Sequence, residues 1–363
     1  MSSLVLFAGG EDISFLILGP GITTGANTNG VVINTTANRF RAGFARYALD
    51  LHGNGAIANN LFLRALFADT TTFWWTARIA IAQNNGSTVA GNYSWRLNDS
   101  NSISRLRLRQ NSVASQWFTV GANFIVEKVN AAGTATTLGT GTLSGGFTNT
   151  GANPDKLDVF VNYAVAGQLT IYINNIQVFA FSGDITTDGQ TTLGQLDLGV
   201  FMTGSSNSCT NAWSEVIVTT RDSRNMGLVT QAPSAPGNTT TFTVGNVSNV
   251  NGNTTTQNTP DYSTTANQLQ QYQVGQVVPS GSFSVVSIVQ HGQVTLGSTG
   301  PQHIEFNVRT GGADYFTGNM VPSTGWTLQT AIWDNNPSTS APWQVTDVPI
   351  NSTFFNIGYK SIT

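Results

Sequence analysis

The chain has 363 residues, with 15 basic and 18 acidic side chains, a net charge of −3 and a mean hydropathy of −0.04. Its charged fraction of 9% lies far below the roughly 25% of an average soluble protein, and the acidic balance speaks against nucleic acid as a general partner. The densest apolar run, residues 13–18, contains Ser14 and falls well short of the roughly 18–20 residues of a spanning helix, so no membrane insertion is expected.

Polarity comes instead from Asn, Thr, Ser, Gln and Gly, which suit pleated surfaces and tight turns. Long helix-favouring surface residues are scarce. The lysines are Lys128, Lys156 and Lys360, and the glutamates are Glu11, Glu127, Glu215 and Glu305. Few solvated helix faces can be built from that stock, and composition alone points to an all-β chain. The first seven residues lack a basic region followed by a long apolar one, so no secretory signal is expected. The lone Cys209 cannot form an intrachain disulfide and fits a reducing site of synthesis. The Asn-x-Ser/Thr triplets, Asn34 and Asn85 among them, are then by-products of composition.

In chain order, short alternating runs are separated by Gly, Asn, Ser and Asp clusters. Residues 44–51 place Ala45, Tyr47, Leu49 and Leu51 on one face. Residues 73–81 place Phe73, Trp75, Ala77, Ile79 and Ile81 on one face, with Trp74, Thr76 and Arg78 on the other. Trp74 is therefore a candidate exposed aromatic beside Arg78, suited to sugar stacking. Arg105, Arg107 and Arg109 alternate with Leu106 and Leu108, which puts three guanidiniums on one strand face, with Arg96 on a candidate neighbouring strand. Such a face could bind an anionic glycan, a lipopolysaccharide phosphate or an acidic subunit surface. Its ordinary reading is a solvated outer face, and among the functional readings an inter-subunit salt bridge is favoured.

Clean alternation returns at 157–163 and 169–173, where Asn174-Asn175 reads as a two-residue hairpin turn before a partner strand at 176–181. The loop 184–189, with Asp184, Asp188 and Gly189, offers oxygen ligands for calcium. An ordinary Asp/Gly turn is the favoured reading there, because calcium takes 6–8 converging oxygens. Runs at 196–200 and 213–220 close the series. Composition then shifts, and residues 231–265 are crowded with Asn, Thr, Pro, Ser and Gly. Two domains are expected, 1–226 and 227–363, the second with a polar irregular start over 227–268 and strands at 282–290, 303–309, 326–333 and 354–359. Residues 264–271 are the best helical candidate and read equally as strand or loop. Many short strands at this spacing mean a sandwich or barrel.

Catalytic signatures are missing from the sequence. His52, His291 and His303 show no metal-ligand spacing. Glu127 and Glu305 stand alone on their strands, and Glu215 has no carboxylate at i+2 or i+4, so the paired carboxylates of a jelly-roll glycosidase are not evident. There is no nucleophile elbow or phosphate-binding loop. The expectation is a chain that is not an enzyme, with no catalytic, cofactor-binding or metal residue.

Two segments carry a resemblance. One is Gly167-Gln168-Leu169-Thr170-Ile171-Tyr172-Ile173-Asn174-Asn175-Ile176-Gln177-Val178, preceded by Leu157-Asp158-Val159-Phe160-Val161. The other is Trp213-Ser214-Glu215-Val216-Ile217-Val218. They resemble the central hairpin and the closing strand of the concanavalin A-like, laminin-G-like jelly-roll sandwich. The whole chain also resembles a family of tailed-bacteriophage virion proteins that carry this sandwich at the N-terminus. The carrying features are a short opening strand at Leu4-Val5-Leu6-Phe7 and the turn Asp222-Ser223-Arg224-Asn225-Met226-Gly227. C-terminal segments such as Arg309-Thr310-Gly311-Gly312-Ala313-Asp314-Tyr315-Phe316 and Pro342-Trp343 complete them.

The resemblance implies an all-β protein with an N-terminal concanavalin A-like jelly roll and a C-terminal antiparallel β-sandwich. It would be made in the bacterial cytoplasm and located in the virion as a tail-fibre, baseplate or capsid-decoration component. Its partners would be other phage structural proteins and copies of itself, with a trimer favoured by analogy with phage appendages. The alternative is a receptor-recognition protein that reads host surface glycan through the lectin-like domain. Candidate ligand or subunit contacts are Trp74, Arg78, Arg96, Arg105, Arg107 and Arg109.

Overall fold

The computed structural model describes residues 5–7, 30–34, 48–54, 60–85, 93–110, 122–143, 154–201, 208–229, 231–250, 260–275, 284–325 and 327–363. The chain is all-β, and it divides into two compact units between Val229 and Thr230. Expected features at residues 13–18, 44–47, 282–283 and 326 lie outside the described residues.

The first unit contains two antiparallel sheets. The larger is built from β1 (Val5–Phe7), β2 (Gly30–Asn34), β3 (Ala48–Asn54), β5 (Thr72–Asn85), β10 (Asp155–Asn162), β11 (Gly167–Ile173), β12 (Ile176–Gly183) and β14 (Ser208–Thr219). Its strands run in the order β12-β11-β10-β5-β14-β3-β2, and β1 also pairs with β14. The smaller sheet contains β4 (Asn60–Thr70), β6 (Tyr93–Asn98), β7 (Ser104–Gln110), β8 (Ala122–Val129), β9 (Ala135–Leu143) and β13 (Leu193–Phe201), ordered β4-β13-β6-β7-β8-β9.

Period-two alternation sends one side of each strand into the space between these sheets. Phe73, Trp75, Val159, Val161, Leu169 and Ile171 come from the larger sheet, and Trp95, Leu97, Leu106, Leu108, Leu196 and Leu198 from the smaller. All are at most 5% exposed. Trp75 and Trp95 meet edge-on across the core at 5.5 Å. Each such side chain contributes about 1.5–3 kcal/mol by leaving water. The turn between β11 and β12 has Asn174 and Asn175 at φ 51° and 66°, the left-handed pair that a tight hairpin needs.

The second unit has a five-stranded sheet of β15 (Pro233–Thr240), β16 (Leu269–Val274), β18 (His303–Thr310), β19 (Ala313–Phe316) and β21 (Asn356–Ile362), ordered β15-β16-β21-β18-β19. A two-stranded sheet of β17 (Ile288–Val294) and β20 (Thr327–Trp333) packs on it. Val274, Val308, Trp343 and Phe355 form the core between them, with Ile288 and Trp333 against it. The Trp343 indole donates to the Trp333 carbonyl at 2.7 Å.

One sequence expectation is corrected here, and one open reading is resolved. The polar stretch is not wholly irregular, because Pro233–Thr240 forms an edge strand, the one place in a sheet where Pro233 and Pro236 can sit without breaking a ladder. The helical candidate at 264–271 is instead a turn leading into β16. Tyr272 and Val274 face the core, and their apolar alternation outweighs the helix preference of the glutamines. Among the described residues the helices are a four-residue α1 (Val247–Val250) and a three-residue 3-10 turn (Val345–Asp347).

Candidate functional site on the six-stranded sheet

Alternation that buries Leu196, Trp95, Leu106 and Val126 must turn their neighbours outward. The strand register aligns those neighbours into one lateral row. Arg64 on β4 pairs with Asp197 on β13, Asp197 with Arg96 on β6, Arg96 with Arg107 on β7, Arg107 with Glu127 on β8, and Glu127 with Thr137 on β9. Every strand of the sheet contributes one residue, and five of the six residues are charged.

The carboxylates lie at the bottom of this row. Asp197 is fully buried and accepts Arg64 in bidentate fashion, Nε to Oδ1 at 2.7 Å and Nη2 to Oδ2 at 2.9 Å. It also accepts Arg96 Nη2 at 3.0 Å and Asn98 Nδ2 at 2.7 Å. Glu127 accepts Nε of Arg107 at 2.8 Å and Nε of Arg109 at 2.5 Å. Charge-assisted donors offset the cost of burying these carboxylates. The arginine side chains stay between 13% and 22% exposed.

At the centre, Arg96 and Arg107 are directly opposite each other, an arrangement that like charges disfavour. Burial pushes the Arg96 guanidinium below its ordinary value. Asp197 works against that shift, and Arg64 and Arg107 add to it. Arg96 remains charged at any ordinary pH. A row with two guanidiniums side by side between buried carboxylates can accept an external carboxylate or phosphate, which would relieve that repulsion.

The residues singled out from sequence do not gather into one site. Arg96, Arg107 and Arg109 share this face. Arg105 does not, although it alternates with the other two. It is buried at the sheet end, donating to Asp99 Oδ2 at 2.9 Å, Asp188 Oδ2 at 2.6 Å and Thr187 Oγ1 at 3.3 Å. Burial works against its charge, but the hydrogen bonds to Asp99 and Asp188 outweigh it and hold Arg105 above its ordinary value. The same contacts bear on the candidate calcium loop. Asp188 accepts Arg105 and the Ala131 amide, and Asp184 accepts Lys128 and Thr186. The protein's own donors occupy those oxygens, and Asp188 and Gly189 adopt the left-handed conformations of a turn.

Trp74 and Arg78 lie on the outer face of the other sheet. Arg78 reaches Glu215 at 3.8 Å and the Pro154 carbonyl at 3.2 Å. Trp74 is half-buried rather than open, with Arg224 over its ring. His291 contacts Thr330, and His303 contacts the carbonyl of Thr363. The two strands that carry these histidines belong to different sheets.

Arg64, Asp197, Glu127 and Arg224 were not singled out as site residues. A signal for two of them existed in Leu63-Arg64-Ala65 and Leu196-Asp197-Leu198, where one charge interrupts apolar neighbours on a strand. The register that brings them together is not written in any local segment.

No family model and no curated protein matches this chain. Similar solved structures include an endo-beta-1,4-glucuronan lyase from the fungus Trichoderma reesei, at 10% identity and a TM-score of 0.40, covering 61% of this chain and 95% of that one. Alginate lyase vAL-1 from Chlorella virus is similar at 8% identity and a TM-score of 0.38, covering 59% and 98%. The botulinum neurotoxin type G receptor binding domain is similar at 10% identity and a TM-score of 0.33, covering 61% and 47%. These likenesses carry no activity over to this chain. The expectation that the chain is not an enzyme is corrected here: the sequence does not exclude enzymatic activity, and polysaccharide lyases stand among the similar structures. The physical weakness of that expectation is plain. A test for paired carboxylates addresses glycoside hydrolysis alone, whereas His, Lys and Tyr also perform general acid–base work.

Proposed function

We propose that the protein is a structural component of a tailed-phage particle, and that it docks onto an acidic surface of a neighbouring subunit through the outer face of its six-stranded sheet. The observation that carries this reading is the lateral row Arg64–Asp197–Arg96–Arg107–Glu127. In a chain with only 15 basic and 18 acidic residues, six of them, counting Arg109, are concentrated on one sheet face. Buried carboxylates fix the arginine forks in place before a partner arrives, which lowers the ordering cost of association. Planar guanidiniums give bidentate, geometry-selective contacts to carboxylates, and a complementary charged face sets register and suppresses wrong partners. The row is broad and charged along its length, which favours a protein partner over a glycan here. The turn and strand signatures shared with phage virion proteins support the particle assignment. A homo-oligomer, with three copies favoured, belongs to the same proposal.

The test is incorporation into particles. The double variant Arg96→Glu/Arg107→Glu, with folding checked by circular dichroism, is expected to be absent from purified particles when mass spectrometry finds the wild-type chain there. Wild-type copy number for the double variant would sink the docking face. Absence of the wild-type chain from particles would sink the structural role.

A further inference from the structure

The outer face of the eight-stranded sheet carries three aromatic rings that the sandwich core does not use. Alternation sends Trp75, Val159 and Ile171 inward and leaves Trp74, Phe160 and Tyr172 outward on β5, β10 and β11. All three are half-buried. Trp74 lies 5.1 Å from Phe160 and 6.0 Å from Tyr172, the last two with rings inclined by only 26°. The indole and the phenol thus present near-parallel faces on one side of the sheet.

Arg224 covers those faces. Its guanidinium carbon sits 5.3 Å from the Trp74 centroid and 4.8 Å from that of Tyr172. Its Nε donates to both oxygens of Asp222 at 3.0 Å and its Nη2 to Oδ2 at 2.5 Å. The Arg224 and Asp222 side chains are 39% and 43% exposed. Exposed cation–π contacts and surface ion pairs are both weak.

The backbone of the same segment is anchored independently of that side chain. Lys156 Nζ donates to the carbonyls of Ser223 at 2.7 Å and Arg224 at 2.6 Å, and Ser223 Oγ donates to Asp158 at 2.9 Å. The guanidinium can therefore swing away while the segment stays in place. We propose that Trp74 and Tyr172 form a stacking subsite for a neutral pyranose ring, with Arg224 moving off the rings to admit it and pairing with Asp222 at the rim to hydrogen-bond its hydroxyls. The chemistry is complementary. One face of a pyranose is lined by C–H groups that suit an aromatic surface, and its hydroxyls both donate and accept, matching a donor-only guanidinium beside an acceptor-only carboxylate. Asp222 and Arg224 form an ion pair with no net charge at the rim, which offers an acidic sugar no net attraction, so the occupant is neutral. This site is on the opposite sheet from the arginine row and stands independently of the docking proposal.

The experiment is calorimetric titration of the full chain with cellohexaose, a β-1,4-galactan hexasaccharide and chitohexaose, alongside the nitrogen-edited NMR signal of the Trp74 indole N–H. Saturable millimolar binding of at least one probe is expected, with that indole signal shifting. Trp74→Ala is expected to weaken binding about tenfold or more, and Trp74→Tyr to retain most of it. The thermal transition of each variant confirms folding. Failure of all three probes to bind, or equal affinity in wild type and the folded Trp74→Ala variant, would overturn the proposal.

Discussion

The two outer faces of the first unit use charge in opposite ways. On the eight-stranded sheet, Lys156 and Asp158 are 7% and 0% exposed, and Glu215 is 3% exposed. The segment that follows β14 lies over the Lys156–Asp158 pair, and the ammonium is spent on Asp158 at 3.1 Å and on two backbone carbonyls. On the six-stranded sheet the carboxylates are buried just as deeply, but the arginines that hold them keep a solvent-facing side. The alternating pattern is the same in both. What differs is the cation and the cover. A compact ammonium fits under a segment and ties down its carbonyls, whereas a planar fork can hold a carboxylate beneath it and still face outward. The Lys156–Asp158 pair is thereby sealed under its segment, while the arginines of the other sheet keep part of their side chains in solvent.

Breaking the sealed pair is expected to be the costlier change. Lys156→Met leaves Asp158 buried with its main charge partner gone, and a loss of about 3–5 kcal/mol is expected from denaturant unfolding. Burial already lowers the Lys156 ammonium below its ordinary value despite Asp158. The double variant Lys156→Met/Asp158→Leu removes both charges and is expected to recover much of the loss. If the single variant costs less than 1 kcal/mol, the sealed-pair description is wrong.

Asp197→Asn tests the bottom of the open face. Arg64 and Arg96 then share a neutral amide, and the expected loss is about 2 kcal/mol, less than for Lys156 because water reaches both guanidiniums. Arg107→Ala is gentler still. Glu127 keeps Arg109, and the repulsion from Arg96 is relieved, so stability is expected to move by about 1 kcal/mol or less. Particle incorporation is expected to fall nonetheless. That separation of stability from docking sharpens the contrast, since no substitution of Lys156 or Asp158 should show it.

Much of the fold was legible because alternation is local. Trp75 against Trp74, Leu106 and Leu108 against the arginines, and Asn174-Asn175 at a hairpin tip each follow from a few consecutive residues. The site was legible only in part, for a matching reason. Arg105, Arg107 and Arg109 are equivalent in sequence, yet a loop from elsewhere brings Asp188 to Arg105 and removes it from the face. Arg64 and Asp197 are 133 positions apart, and only the order of strands in the sheet makes them neighbours. The cover over Trp74 likewise comes from Arg224, 150 positions downstream. Strand faces are written locally, while what packs across or over them is set by topology.

The smallest expected effect is a pH dependence at the rim of the six-stranded sheet. Asp184 accepts the Thr186 hydroxyl at 2.7 Å, Lys128 Nζ at 3.0 Å and the Thr186 amide at 2.9 Å. These bonds favour the ionised carboxyl and pull it from an ordinary 3.8 down to about 2. A carboxyl depressed in the folded state adds stability above its unfolded value and loses it as pH falls through the folded one. The contribution of Asp184 is therefore complete above about pH 4 and fades toward pH 2. The pair is exposed, so solvent screening keeps the effect small. Carbon-detected NMR titration of the Asp184 carboxyl should give a midpoint near 2, and Asp184→Asn should flatten the acid limb of the stability curve only slightly. A midpoint at the ordinary value would mean that water, not Thr186 and Lys128, solvates this carboxylate, and that the loop is held without Asp184, by Asp188 and Thr187.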